Sequence, residues 1–531
     1  MDRKFDDIKQ GLAGGILKPA GGADGVTVSR VLCDKTFYVD IGGDFEIPEH
    51  MPELKKLIKV DVRPEKPASF ISGSGAQING GIEYSAIYMG SDGEIYKTSF
   101  PDEFSINAPF DGANTGVDKI FVSAKVCPES ITCRAGGMGR INIRSRLAVN
   151  ALALCSEKRG GGFALQEESH IRKLVKKCPT CLELHGIKED TTLSCSVDTS
   201  GKGTRYLSSD CKVFVTDTTA GDGYVDCRGY AAVRHLMTRE GELYTVFDKI
   251  PFSETVELDG AVSGAGATVS GYCTDITPVV SELEAEIENN KTDLAVHICL
   301  SAAALVPGTL EYVKDMYSTL CNYGLEFEKM LLPKAVACKN GNMTFSGREE
   351  ASKLGIENDR LSLVDVWGSG RADSIEKEDD GYVMKGKCRF AFLYSAGEEG
   401  ELSLGECELP FKYEFDGEGD QVSRFDATVA VIEPRARLEG EKLAFDCELA
   451  ISLCAVGEGE VSAVISAKPD GSEREKRKGF TVCYPDAEDS LWSVAKRYGA
   501  PLEDAAKENG MDGFGDADEI RLPEGIKYMI I

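Results

Sequence analysis

Few residues in this chain have the types and spacing that chemistry needs. Cys178 and Cys181 stand in "CPTC", the spacing of a redox dithiol or of half a zinc site. A zinc site needs a second pair, and neither another C-x-x-C nor an H-x-x-x-H occurs, so the structural reading of these cysteines is preferred. The histidines, His50, His170, His185, His235 and His297, are far apart along the chain. No Gly-x-Ser-x-Gly elbow, Walker A loop or dinucleotide fingerprint is present. Carboxylates abound, but in "SELEAEIEN" Glu282, Glu284, Glu286 and Glu288 alternate with apolar residues, the pattern of a solvated strand face. The expectation is therefore no catalytic residue, no metal and no cofactor. The residue best suited to recognition is Trp492, in "DSLWSVAKRYG". An indole beside a polar loop can stack on a sugar ring or anchor a protein partner. It can equally cover the apolar edge of its own domain. It lies one residue off the inward stripe of its helix, which predicts partial exposure.

The whole chain sets the bounds for these residues. With 531 residues it exceeds one core, and its length suggests about three or four domains. Hydrophobic residues make up 42% and charged residues 28%, an ordinary globular composition. A net charge of −28 opposes binding to phosphate backbones and anionic lipid, so nucleic acid is not an expected partner. No stretch reaches the ~18 to 20 apolar residues of a membrane helix. In the N-terminal "MDRKFDDIKQGLAGGILKPAGG", Asp6, Asp7, Lys9 and Gln10 interrupt any signal-peptide core, and cytoplasmic residence is the simplest expectation. The 18 cysteines are scattered, mostly within apolar runs, as free thiols of a reducing compartment would be.

Self-similarity organises the rest. Gly93/Phe104, Gly241/Phe252 and Gly400/Phe411 mark three similar segments, residues 82–104, 230–252 and 390–411, each two strands around a polar turn. Successive copies stand about 150 residues apart, a domain rather than a solenoid unit. In the third copy Cys388, Phe390, Phe392 and Tyr394 share one face. A later strand recurs as well. Leu443, Phe445, Cys447, Leu449, Ile451 and Leu453 alternate in one copy, and Ile141, Ile143, Leu147 and Val149 in another. Leu294, Val296, Ile298 and Leu300 form the third. The predicted fold class is mainly β: three repeated antiparallel β-sheet domains at 1–165, 166–325 and 326–466. A charged, Pro- and Gly-containing stretch at 467–479 reads as a linker.

The last residues, 480–531, have a different texture. Thr481–Tyr484 suits a strand, and Asp489 or Ser490 can cap a following helix. Leu491, Val494, Ala495 and Tyr498 form its apolar stripe, Lys496 and Arg497 complement its C-terminal dipole, and Gly499 stops it. Pro501 opens a second helix with Leu502, Ala505 and Ala506 inward; Asn509-Gly510 ends it, and "IKYMII" closes the unit as a strand. This βααβ segment resembles a LysM module through Asp489, Ser490, Leu491, Trp492, Val494, Ala495, Tyr498, Leu502, Asn509, Gly525 and Met529. It departs from that family at Glu488, where Gly is usual. The resemblance implies binding of N-acetylglucosamine polymers, peptidoglycan or chitin, in a groove between Asp489, Ser490, Leu491 on one side and Gly510, Met511, Asp512 on the other.

The repeats in turn resemble SPOCS domains, a family associated with the spore coat. Asp315, Tyr317 and Ser318 in "VKDMYSTL" fit that family's Asp-x-Tyr-Ser. Three such domains followed by a LysM are similar to SipL-type coat morphogenetic proteins. The resemblance implies a non-enzymatic sporulation scaffold for spore coat assembly and encasement, working from the mother cell at the forespore surface. It implies docking on coat morphogenetic proteins or on peptidoglycan, and a set of repeats that gains avidity through linkage. A peptidoglycan-binding cell-envelope protein is the alternative, and a cell-wall hydrolase a weaker one.

Overall fold

The computed structural model describes residues 25–112, 120–137, 139–160, 170–240, 242–279, 291–356, 361–378, 381–396, 401–419, 421–474, 479–486, 488–511 and 529–530. The chain is mainly antiparallel β. Its first part holds β1 (Val26–Glu46), β2 (Leu54–Pro64), β3 (Ala68–Ser72), β4 (Gly75–Gly90), β5 (Ile95–Pro109), β6 (Ile120–Ala135) and β7 (Arg140–Arg159). Next come β8 (Ile171–Asp198), β9 (Thr204–Gly221), β10 (Tyr224–Arg239), β11 (Glu242–Glu257), β12 (Gly266–Pro278) and β13 (Lys291–Ser318). Then follow β14 (Cys321–Glu350), β15 (Leu361–Glu378), β16 (Gly381–Ala396), β17 (Glu401–Phe415), β18 (Arg424–Glu439) and β19 (Lys442–Glu473).

The two later groups share one strand order. One sheet runs β11-β10-β9-β12-β13-β8, and the other, read from its far edge, runs β17-β16-β15-β18-β19-β14. In each, one residue pair joins the two halves, Tyr272↔Lys212 in the first and Gly370↔Val429 in the second. The first part has the same order with that junction open: β5 and then β2 and β3 flank β4 in one sheet, and β6-β7-β1 makes the other.

The recurring phenylalanine has a packing reason. Phe104 lies opposite Gly80, Phe252 opposite Gly229 and Phe411 opposite Gly386. A Cβ on Gly80 would fall 2.5 Å from the Phe104 ring, and one on Gly386 would fall 2.5 Å from that of Phe411 and 2.2 Å from the Arg371 carbonyl oxygen. In the first and third hairpins a ring thus covers bare backbone, the cross-strand pairing by which an aromatic compensates a strand glycine, while at Gly229 the space is taken by the Phe214 backbone. The predicted alternating faces lie inward. Ile141, Ile143, Leu147 and Val149 sit in one core, Val296, Ile298 and Leu300 in a second, and Leu443 through Leu453 at odd positions in a third. Leu294 is buried in a smaller cluster with Val197 and Met237.

These parts are not beads on a string. Ile87, Leu236 and Leu393, separated by the repeat spacing, meet in a single buried cluster, joined by Ile58, Leu207 and Val364 and by Ile95, Leu243 and Leu402. Beside it Arg234 holds Asp365 through two hydrogen bonds of 2.8 and 2.9 Å, and the Lys59 ammonium lies 3.5 Å above the Trp367 ring. A second junction centres on Glu183, which accepts from His185 at 2.8 Å and pairs with Arg424. Burial opposes ionisation of Glu183, but the hydrogen bond from His185 and the charge of Arg424 outweigh it and hold its pKa below the usual value. Phe121 stacks on His185 with ring centres 4.6 Å apart, so all three parts contribute here too.

The linker expectation is corrected in part. Residues 467–473 continue β19: Ala467 is fully buried and pairs with Leu325, and Glu473 pairs with Cys321. Their polar composition matches their exposure, since Lys468 and residues 470–472 face water. The acidic stretch "SELEAEIEN" lies outside the described residues. No described helix is long and apolar enough to cross a membrane.

The shared cluster makes a quantitative prediction. Ile87→Ala, Leu236→Ala and Leu393→Ala should each destabilise the chain by about 2–5 kcal/mol, since each deletes a buried aliphatic side chain where neighbours from three parts meet. Urea unfolding followed by far-UV circular dichroism checks this. A cost near zero at two of the three would show that the parts do not share this core.

Candidate functional site

The C-terminal unit is assembled by local rules. Strand β20 (Val482–Cys483) pairs antiparallel with β21 (Met529–Ile530), and between them lie α1 (Leu491–Tyr498) and α2 (Leu502–Glu508). Ser490 caps α1: its hydroxyl accepts from the Ser493 amide at 3.2 Å, while the Ser493 hydroxyl accepts from the Ser490 amide at 2.9 Å. Gly499 ends α1 with φ 66°, a left-handed conformation that a side chain would strain. Asn509 ties the end of α2 to β21, its amide donating to the Ile530 carbonyl at 2.7 Å and its oxygen accepting from the Ile530 amide at 2.9 Å.

The residues expected to line a groove have mostly structural work. Asp489 is buried, accepting from the Asp486 amide at 2.9 Å, the Ser493 hydroxyl at 3.0 Å and Arg497 at 2.6 Å. Burial works against its charge, yet the Asp486 amide, the Ser493 hydroxyl and Arg497 keep its pKa below the ordinary carboxylate value. Leu491 is fully buried in the module core, and Met511 is half-buried against the same core. Gly510 takes φ 66° with open space around it. Asp512 lies outside the described residues.

Trp492 requires a correction. Expected to be partly exposed, it is 4% exposed. The helical wheel placed it beside the inward stripe, and what covers it is the distant end of the β8–β13 ribbon. Its indole Nε1–H donates to Asp315 Oδ2 at 2.8 Å, and its ring meets Tyr317 edge-on with centroids 5.0 Å apart at 72°. Lys496, one turn on, donates to both Asp315 oxygens at 2.5 and 2.7 Å. The Tyr317 hydroxyl donates to the Ala500 carbonyl at 2.8 Å, Arg172 pairs with Glu503 at 3.1 Å, and Arg474 donates to the Lys496 carbonyl at 2.8 Å. Leu174 and Tyr317 complete the module's apolar cluster. One carboxylate therefore takes three side-chain hydrogen bonds, from one indole and one ammonium, at a half-buried surface.

Asp315 and Tyr317 carry a family signature and Lys496 complements the helix dipole, but nothing in the sequence brings them together. The one signal available was that Asp-x-Tyr-Ser ends a strand at a turn. Ser318 serves that turn, its hydroxyl accepting from the Leu320 amide at 3.0 Å.

Two other candidate arrangements have buried reactive groups. Cys178 and Cys181 are buried in different clusters, and no group of metal-ligating side chains occurs among the described residues. Ser209, His235 and Asp248 form a hydrogen-bonded chain, 2.7 Å from Ser209 Oγ to His235 Nδ1 and 3.2 Å from His235 Nε2 to Asp248. The order resembles a nucleophile, base and orienter. However, His235 is fully buried, Ser209 nearly so, and the Tyr206 hydroxyl already donates to Ser209 Oγ at 3.0 Å. Burial lowers the His235 pKa, and the neutral ring pins β9 and β11 to β10.

The fold thus defines a large antiparallel β protein with a small strand–helix–helix–strand unit docked on it. Residues 204–290, which include β9 to β12, match the family described as SipL, SPOCS domain, which suggests a sporulation-related protein. No curated protein and no solved structure matches the chain.

The capping network yields a pH prediction. Because Asp489 is held below its unfolded value, its contribution to module stability is present above about pH 4 and is lost as pH falls through the folded pKa. Ser490→Ala should remove about 1 kcal/mol from α1 at any pH. Trp492 emission followed through acid and thermal titrations of the full chain checks both. An Asp489→Asn chain with an unchanged acid midpoint would exclude this carboxylate as the source.

Proposed function

We infer that this chain is a non-enzymatic sporulation scaffold for spore coat assembly, built from three SPOCS-like units and a LysM-like module that docks it on coat morphogenetic protein or on peptidoglycan. The supporting observation is that the family match falls on the middle part, while the strand order of that part recurs before and after it. A likeness found over one part then extends, through topology and through the Gly–Phe pairs, to the other two. The docked module has the element order and the capped first helix that its LysM resemblance implies. Phe480 and Tyr484, 77% and 75% exposed beside β20, leave the module with outward aromatic surface suited to a partner.

The units pack into one body, so a partner meets a fixed array of surfaces. Avidity then comes from several copies assembling around the forespore rather than from flexible units within one chain.

A fluorescent fusion in sporulating mother cells tests the reading. The full chain should encase the forespore, and a chain lacking 480–531 should stay dispersed. Diffuse signal from the full chain would refute the scaffold role, and unchanged encasement by the shortened chain would refute docking by the module. Sedimentation of both chains with purified peptidoglycan then separates glycan from protein as the partner.

A further inference from the structure

The face of α1 best equipped to bind something is occupied by the chain itself. Trp492, Lys496 and the Ala500 carbonyl all point at the tip of the β8–β13 ribbon, where Asp315 and Tyr317 receive them. Among the described residues the body contributes two side chains, Leu174 and Tyr317, to the apolar cluster that the module's own buried side chains form. The ion pairs are partly open to water, with side-chain exposure of 38% for Lys496, 21% for Asp315 and 56% for Glu503, while Trp492 and Tyr317 are buried. Half-exposed ion pairs contribute little each. The body, by contrast, is joined through several buried clusters that draw on two or three of its parts. Two cohesive bodies therefore meet across a weak seam.

The connection favours docking within one molecule. Arg474 N–H donates to the Leu320 carbonyl just beyond the ribbon tip, its guanidinium already reaches Lys496, and the module resumes at Gly479. A tether this short keeps the module at high local concentration near the tip.

We propose that the C-terminal module is a latch: it stores its Trp492–Lys496 face against Asp315 and Tyr317 of the same chain, and releases as a unit while the β body stays folded. Release uncovers two surfaces at once, the indole face of α1 and a ribbon tip where Asp315 and Tyr317 stand beside Arg172, Lys173 and Lys314. A partner that takes up either surface must displace the other, so docking and partner binding exclude one another. That last consequence rests on the module's binding role proposed above; the latch itself rests on the contacts alone.

The test uses the two tryptophans of the chain, Trp367 and Trp492. In full-length Trp367→Phe protein, emission reports Trp492 alone; the difference between wild-type and Trp492→Phe spectra gives the same signal without touching the body. Asp315→Ala and Tyr317→Ala should each shift this emission to the red and raise its quenching by acrylamide several-fold, with far-UV circular dichroism unchanged. In the unsubstituted chain, urea should unmask Trp492 in a separate transition before strand structure is lost. Unmasking only together with global unfolding would show a permanent interface and overturn the latch. So would quenching that is the same with and without Asp315. Unmasking on dilution, with light scattering showing a dimer dissociate, would place the docking between two copies and overturn docking within one chain. Quenching reads the latch whether or not any glycan or coat protein binds, so failure here and failure of the encasement experiment are distinct.

Discussion

A sheet buries apolar residues on one face for its own core, and whatever apolar surface its other face carries must be covered from outside. In β19 both faces are apolar. Ile451, Leu453 and Ala455 fill the core between its own sheet layers, while Ala450 packs on Phe214 and Ala232, and Cys454 on Cys181, Ala303 and Leu305. β13 repeats the arrangement, with Leu300, Ala302 and Ala304 inward and Ala303 and Leu305 against the neighbouring part. Strands read as continuous apolar runs when both faces are buried. This double burial forces the three parts together, and the remaining architecture follows from it.

Charge decides how they meet. A buried ion pair adds little net stability over apolar packing, yet separating its partners strands a charge away from water. Glu183 with Arg424, and Arg234 with Asp365, each bridge different parts. They therefore penalise any arrangement that would bury the same apolar surface in another register.

The module obeys a different balance. Its core is small, and it holds the body through Asp315 and Tyr317, with Arg172, Leu174 and Arg474 beside them. Where the body is over-determined, the seam is spare, and the face held in the seam is the one with the richest recognition chemistry.

Much of this was legible in the residues. Period-two alternation identified the inner faces of β7, β13 and β19, because side-chain direction in a strand is a local property. The helix caps, the stop at Gly499 and the turn at Asn509-Gly510 were legible for the same reason: their hydrogen bonds run between residues a few positions apart. The spacing of Gly93/Phe104 marked a repeated hairpin, though not that the phenylalanine covers a glycine on the facing strand. Two things could not be read locally. Residues 467–473 look like a linker because nothing in their composition reveals the partner strand β14, and Trp492 looks available because the group that claims it, Asp315, is 177 positions away in sequence. Sequence alone determined which residues form each element and which side of it is apolar; only the tertiary structure decided which surfaces remain free, since exposure depends on what distant chain comes to lie there.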